Sequence, residues 1–587
     1  MKFDLVLLHP PSVYDFRKKS LLVGPISDVV PSSPVFEMYP IGLTSIADYL
    51  ERYGYRVKII NLANRMLLNP NFDVEKKLKK IKTKAFGIDL HWLPHAHGSI
   101  EIAKLVKKYH PDKPVFFGGL SSTYFHKELI KSPYIDFVFR GDSTEKLVHQ
   151  LMDQLKTGEE NYEIIPNLTW KKDDTYIFNP HTYVADNMDE FDIPGYQYVI
   201  RSVFKYRNFI DPLPYVDWLK YPNTALLTSK GCNFNCLICG GSKTSYELMC
   251  NRRNIAMRSP EKLEKDIVFI QRFSRAPIFL LNDIRQGGKE YVSELLNRFK
   301  QRDLKNELVF ELFYAAGDEF FGELDKALPK YSIEITLESH DEELRRTNGK
   351  FNCTNEKVIE TIKSALKYNC SKIDLFFMVG IPGQDYESAL KNVEFCEEIH
   401  LKCNQDTRLS YFIAPLAPFL DPASPAFENP ELHGYKKFCH TVEDHREALL
   451  QPSWKYMLSY ETEFLTRDEI VRATYNSALA LNSFKFKYKL IDEKTYEQVK
   501  TKINYSLEFI DKIDRIMELP EEQKTSALEE IKNDVRELNS YSICGKDELK
   551  WEVKKNYANP LSLTIVGLEL LLKDKINSLK NMKEYFS

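Results

Sequence analysis

Short apolar runs alternate with amphipathic stretches through the first quarter of the chain. From Phe3 to Leu155 the runs FDLVLLHPP, YRVKIINLA, AFGIDLHW (85–92), PVFFGGLSS (114–122) and DFVFRGDS (136–143) read as strands. Between them lie helical patterns: IGLTSIADYLERYG with Gly54 as C-cap, SIEIAKLVKKYH, and TEKLVHQLMDQLK. Short apolar strands that alternate with helices predict a parallel, doubly wound α/β sheet. Ligands of such sheets sit beyond the carboxyl ends of the strands. Those ends are His9-Pro10-Pro11, Asp89-Leu90-His91-Trp92, Gly118-Gly119 and Arg140-Gly141-Asp142.

The pattern then changes. Residues 156–220 read as a linker with a small hairpin, IPNLTWKKDDTYIFNP, that turns at Asp173-Asp174. Strand–helix alternation returns over 221–425, with strands TALLTS, PIFLLND, LVFELFYA, SIEITLES, KIDLFFMVG and RLSYFIAP. The helix SPEKLEKDIVFIQRF has Ser259 at its N-cap and Pro260 at its first position. Six such units predict a (β/α)6 partial barrel or a full one. From 426 to 587 the chain reads as mostly helical, with YKKFCHTVEDHREALL, TRDEIVRATYNSALALN and TYEQVKTKINYSLEFIDKIDRIMEL as its main helices. A lid, a packing module or an interface would each suit that region.

Composition adds exclusions. The 587 residues are 43% hydrophobic and 28% charged, ordinary values for a globular protein. A net charge of −3 and the lack of a DNA-reading motif argue against a nucleic-acid binder. The opening MKFDLVLLHPPS is too short for a signal-peptide core. The longest apolar run, 561–572, is broken by Glu569 and falls short of the ~20 residues that span a bilayer. The expectation is a cytoplasmic protein without a transmembrane segment. Ten cysteines in so long a chain are no disulfide framework. Cys250, Cys353, Cys370, Cys396, Cys403, Cys439 and Cys544 are scattered without ligand spacing.

The other three cysteines are clustered. SKGCNFNCLICGG places Cys232, Cys236 and Cys239 in a Cys-x3-Cys-x2-Cys spacing just after an apolar strand. Buried cysteines also act as small hydrophobes. A zinc site would want a fourth Cys or His nearby. Iron–sulfur clusters are held by thiolates, and three thiolates on a four-iron cluster leave one iron open to an outside ligand.

This segment resembles the signature of the radical S-adenosylmethionine (SAM) enzymes. The resemblance implies a 4Fe-4S cluster on Cys232, Cys236 and Cys239, with SAM on the open iron. Cleavage of SAM then gives methionine and a 5′-deoxyadenosyl radical. Gly240 and Gly241 would give that cofactor clearance. Ile238 departs from the pattern, since the family usually has an aromatic residue before the third cysteine. ITLESHDEELRRTNGK looks like the family's fourth-strand segment, with Glu338 and Ser339 toward SAM's ribose or amino group. FFMVGIPGQDYES looks like its fifth-strand turn, with Gly380, Pro382 and Gly383 along the adenosine. Asn282 and Asp283 stand where the family presents polar groups to the methionyl amine.

The first 155 residues resemble the cobalamin-binding, Rossmann-like domain that precedes the barrel in one large subclass. The likeness rests on LLHPP, PIGLTSIADYLERYGYRVKIINL, PVFFGGLSS and FVFRGDSTEKLV. It implies a cobalamin site at Pro10, Pro11, Asp89, His91, Trp92, Gly118, Gly119, Ser121, Arg140, Gly141 and Asp142. Ser122 would join Ser121 on the tail, and Glu145 would anchor the last helix. The Asp-x-His-x-x-Gly loop of other cobalamin enzymes is missing after the first strand, so cobalamin without that histidine ligand is expected. His91, His95 and His97 fit solvated or helix-capping roles; alternatively, His91 or Trp92 lies against the lower corrin face. A domain that has lost cobalamin and serves as scaffold is a further reading.

Together the resemblances imply a SAM-dependent C-methyltransferase that works through methylcobalamin. It would need an electron donor such as ferredoxin or flavodoxin, and its substrate could be a small molecule, lipid or peptide. A non-methylating oxidation, rearrangement or cyclisation is the alternative, and a non-catalytic zinc or cobalamin sensor a third. Asp421, His433 and Tyr435 in a Pro-rich loop, and Trp454, Tyr456 and Tyr460 beyond it, could border a substrate channel or simply pack.

Overall fold

A computed structural model describes residues 2–25, 30–173, 175–416, 418–538, 543–551, 553 and 557–585. The N-terminal sheet contains β1 (Leu5–His9), β2 (Val57–Asn61), β3 (Ala85–Asp89), β4 (Val115–Gly118), β5 (Phe137–Phe139), β6 (Leu168–Lys172) and β7 (Thr175–Phe178). Their order is β2-β1-β3-β4-β5-β6-β7. The first five are parallel, and β1 and β3 are buried along their whole length. That burial explains why they read as continuous apolar runs, since helices cover both faces of such a sheet. Strand order reverses between β1 and β3, which opens a crevice at their carboxyl ends.

The hairpin expected in a linker belongs instead to this sheet. β6 pairs antiparallel with β5, and β7 with β6. Asp174, half of the expected turn, lies outside the described residues. β5 is only three residues long, and β6 covers backbone groups that would otherwise be an open edge. Arg140 locks the joint: its guanidinium donates to the carbonyls of Asn167 (3.2 Å) and Asn179. It is buried in that role, so its expected place on cobalamin is corrected. The helix Tyr196–Tyr206 then packs Arg201 against Asp48 and Glu51.

The second sheet contains β8 (Thr224–Leu227), β11 (Ile278–Leu281), β12 (Leu308–Leu312), β13 (Tyr331–Glu338), β14 (Cys370–Val379) and β15 (Leu409–Pro415). β9 (Ser229–Lys230) and β10 (Ala256–Met257) form a small antiparallel pair beside it. The six main strands are parallel and in sequential order from β8 to β15. β8 and β15 are its two edges, so the barrel is partial. Ser259 caps its helix as expected, accepting from the Lys262 amide at 3.1 Å.

The C-terminal region is mostly helical, with Arg467–Lys487 and Glu493–Met517 among its long members. One expected helix is shorter than its pattern. In YKKFCHTVEDHREALL only Val442–Ala448 is α-helical, opened by a Thr441/Asp444 capping box. The first residues form β16 (Tyr435–Lys437), paired antiparallel with β17 (Tyr460–Thr462). Tyr435 turns inward there to reach the Gly380 carbonyl at 2.9 Å, which a helix at that point would not present. Among the described residues no helix is long and apolar enough to cross a membrane.

The carboxyl ends of the two parallel sheets meet. Arg252 pairs with Asp142 at 2.5 and 3.0 Å and donates to the Ala185 carbonyl at 2.8 Å. Lys230 donates to the Asp142 carbonyl and to Ser143 Oγ (3.0 Å). Trp92 Nε1 donates to Asp421 at 3.2 Å, and Asp421 accepts the Gly240 amide at 3.0 Å. The side chains of Arg252 and Asp142 are 1% and 6% exposed, so losing one strands the other charge in the interior. Arg252→Ala should cost about 3–5 kcal/mol, seen as a lowered denaturant midpoint. Adding Asp142→Asn should recover part of the loss. An unchanged midpoint in the single variant would contradict this role of the pair at the junction.

Candidate functional site

The loop from Gly231 to Ser242 leaves β9 and enters the helix Lys243–Cys250, which Ser242 caps. It holds the three sulfurs in different settings. Phe234 N–H donates to Cys232 Sγ at 3.4 Å, and Gly241 N–H to Cys239 Sγ at 3.3 Å. Cys236 lies 3.4 Å from the Gly349 carbonyl. Burial pushes the thiols up, Cys236 to about 11 and Cys239 to about 12. Cys232 also moves up for the same reason, against the Phe234 amide. Amides aimed at sulfur favour the thiolate, the form that ligates iron. The donor set fits a cluster.

Lys350, missed in the sequence, stands among these groups. Burial works against its charge, but Cys236, Glu338, Cys239 and Glu311 outweigh it and hold the ammonium above its ordinary value. Lys350 is the last residue of ITLESHDEELRRTNGK. Its only sequence signal is that it follows an Asn-Gly turn.

Glu338 ends β13, where the register with β14 shifts. Its φ is +66°, a conformation that costs a non-glycine residue energy and re-aims its side chain. Its carboxylate is buried, and one oxygen, Oε2, has no hydrogen-bond partner among the described residues. Burial pushes the carboxyl up to about 7, while Lys350 pulls the other way. A buried acceptor without a donor fits a ligand that supplies one. Ser339, also buried, accepts the amide of Asp341 at 3.1 Å, and Asp341 caps the next helix.

The remaining expected SAM contacts divide. Asn282, at φ +81°, spends its amide on Ser229 Oγ (2.5 Å) and the Gly231 carbonyl (3.2 Å), holding the base of the cysteine loop. Asp283 is corrected: it is buried, paired with Arg285, and accepts the Phe313 amide at 2.8 Å. Glu311, missed in the sequence, accepts the backbone N–H of Asn282 at 2.5 Å. Gly240 is corrected as well. A Cβ there would lie 2.8 Å from the Asp421 side chain, so the gap admits Asp421. At Gly241 the nearest atom to such a Cβ is Cys239 Sγ, at 3.5 Å. Ile238 and Pro382 are buried. Gly380 backs onto Tyr460, whose hydroxyl would lie 3.1 Å from a Cβ placed there, and Gly383 backs onto Leu344. Tyr435, Trp454 and Tyr460 are packed inside, and Tyr456 donates to Asp514 at 2.8 Å. His433 is half-buried beyond them.

Across the junction, a cavity of about 280 Å³ lies at the carboxyl edge of the N-terminal sheet. Asp89, His91, Gly118, Gly119, Gly141 and Asp142 border it, and Leu227, Lys230 and Tyr246 close it from the barrel side. A Cβ at Gly118 would meet nothing within 4 Å among the described residues, the open approach a large ligand needs. The cavity fits part of a cobalamin. Other expected contacts do not border it. The Pro10 carbonyl accepts His95 Nδ1 at 3.2 Å, and the Pro11 carbonyl packs against Gly98. Ser121 and Ser122 donate to the carbonyls of His91 (3.4 Å) and Leu90 (3.3 Å), which consumes their hydroxyls. Trp92 is committed to Asp421. Glu145 accepts Ser45 Oγ at 2.6 Å, tying its helix to Ile41–Arg52. His97 accepts the Tyr14 amide at 3.2 Å.

Comparison with known proteins agrees with this layout. The family described as B12 binding domain matches residues 28–150, and the radical SAM superfamily matches 226–396. An uncharacterized methyltransferase of Pyrococcus horikoshii, PH0819, is 24% identical over 376 residues, 63% of this chain and 75% of the relative. The radical SAM methyltransferase TsrM from Kitasatospora setae, solved with cobalamin and a [4Fe-4S] cluster, is similar in fold with TM-score 0.55 at 14% identity. That likeness covers 84% of this chain and 90% of TsrM. The cobalamin-dependent radical enzyme OxsB, solved with aqua-cobalamin and SAM, aligns with TM-score 0.53 at 12% identity, over all of this chain and 81% of OxsB. With both families matched in the order of the two parallel sheets, this chain is a cobalamin-dependent radical SAM enzyme.

Proposed function

We propose that the chain is a methyltransferase that places a methyl group on an unactivated carbon of a small-molecule substrate. The observation that carries this reading is the meeting of the two sheets' carboxyl ends through Trp92, Asp421 and Gly240. It sets the cysteine loop against the crevice of the N-terminal sheet. The word methyltransferase in the names of PH0819 and TsrM supports the same reading.

When bound, the cluster, SAM and cobalamin supply one-electron cleavage of SAM and a methyl carrier. The chain's own residues position and shield them. Cys232, Cys236 and Cys239 hold the cluster, and the Phe234 and Gly241 amides stabilise their charge. Lys350 pairs with SAM's carboxylate beside the sulfurs. Glu338 gives its free oxygen to SAM's ammonium or ribose, and buried Ile238 excludes water from the loop. Gly118, Gly119, Gly141 and Asp142 border cobalamin, with Lys230 and Tyr246 opposite. A ferredoxin- or flavodoxin-type protein supplies electrons.

Reduced, cofactor-loaded enzyme should convert SAM to both S-adenosylhomocysteine and 5′-deoxyadenosine. Formation of 5′-deoxyadenosine alone would contradict the methyl reading. Cys236→Ala should abolish 5′-deoxyadenosine, because one cluster iron loses its thiolate; full activity would contradict the site.

Glu338 gives a pH signature. Its carboxyl is raised to about 7, so it is mostly neutral below that pH and charged above it. A cationic ammonium prefers the charged form. The KM for SAM should therefore fall as pH rises from about 6 to 8, and Glu338→Gln should flatten that profile. Lys350→Met should raise the KM about tenfold or more with cluster iron retained, the scale of a lost charge-assisted bond. An unchanged KM would contradict the role of Lys350.

A further inference from the structure

We infer that His91 ligates cobalt through Nε2, as an axial base supplied by the loop after β3. The inference rests on cobalamin occupying the cavity at the edge of the N-terminal sheet.

Three observations set His91 apart. Its ring is oriented by Asp89, whose Oδ2 lies 2.8 Å from His91 Nδ1. A carboxylate there takes the Nδ1 hydrogen, leaving the Nε2 lone pair available. Its backbone is clamped: the His91 carbonyl accepts both the amide and the hydroxyl of Ser121, each at 3.4 Å. Gly119 crosses so close, at φ +115°, that a Cβ there would lie 2.4 Å from His91 Cα. His91 borders the cavity, its side chain is 28% exposed, and its Nε2 makes no hydrogen bond among the described residues. Carboxylate–histidine pairs of this kind orient metal-ligating imidazoles and raise their basicity.

The neighbouring histidines are committed elsewhere. His9 is fully buried, with Nδ1 on Asp89 at 3.0 Å and Nε2 on the Phe36 carbonyl at 3.1 Å. His95 is buried between the other two rings, 4.9 Å from His9 and 5.1 Å from His91, and its Nδ1 meets the Pro10 carbonyl. Asp89 serves both rings, with Oδ1 3.0 Å from His9 Nδ1 and Oδ2 2.8 Å from His91 Nδ1. The loop Asp89-Leu90-His91-Trp92 thus supplies the base that the missing Asp-x-His-x-x-Gly loop does not.

The test reads the nitrogen on cobalt. Holoenzyme is prepared with ¹⁵N-histidine and natural-abundance cobalamin, and the cob(II)alamin EPR spectrum is recorded after cobalt is quantified. Superhyperfine doublets from ¹⁵N, in place of the ¹⁴N triplets of unlabelled protein, are expected. His91→Ala should abolish the ¹⁵N splitting with cobalt content retained. Triplets that persist in labelled protein, from benzimidazole nitrogen, would overturn the assignment, as would a spectrum without nitrogen splitting. Either leaves cobalamin binding intact. Protein that takes up no cobalt would overturn the cavity assignment and the ligation together.

Discussion

A buried ion pair, Arg252 with Asp142, joins two sheets that could otherwise fold as separate layers. Asp142 follows β5 and Arg252 follows the helix that leaves the cysteine loop. Closing this pair fixes which edges face each other, and both are carboxyl edges. A charge pair so deep is costly to desolvate and costlier to break, so it specifies geometry more than it adds stability. The Trp92–Asp421–Gly240 chain sets the same registry from a third element, the segment after β15. Burial raises the Asp421 carboxyl, and the Gly240 amide and Trp92 oppose that rise.

The cysteine loop depends on that registry. Its start is pinned by Asn282 through Ser229 and Gly231, and its end by Ser245, whose hydroxyl lies 2.9 Å from both the Cys239 and Ala423 carbonyls and shares its one hydrogen between them. Lys350 reaches it from the segment after β13, where it shares its charge with two sulfurs and two carboxylates. The two strand ends with positive φ, Asn282 and Glu338, divide the work. One holds the loop, and the other leaves a carboxylate oxygen without a partner among the described residues.

Elements with local signals are readable from sequence. The parallel strands follow from apolar runs, the Ser259 cap from its residue types, and the sulfur loop from cysteine spacing. What is not readable depends on contacts distant in sequence. Arg140 looks like a ligand until β6 and β7 arrive with carbonyls for it. Asp283 looks free until Arg285 folds back on it. Gly240 looks like cofactor clearance until Asp421, far along the chain, fills the gap. Tyr435 sits in a helical pattern, yet a carbonyl at Gly380 draws it into a strand. Lys350 carries no motif of its own, and only the packing of β13 against the loop reveals its neighbours.

A cluster held on the cysteine loop and a cobalamin held in the crevice would lie on either side of one junction, joined by Trp92, Asp421 and Gly240, and so should feel each other's spin. Cob(II)alamin spin relaxation, measured with the cluster oxidised and then reduced, tests that arrangement most directly. Faster relaxation on cluster reduction is predicted, with the effect weakened in Arg252→Ala protein that retains iron and cobalt. Relaxation that is indifferent to the redox state of the cluster would contradict it.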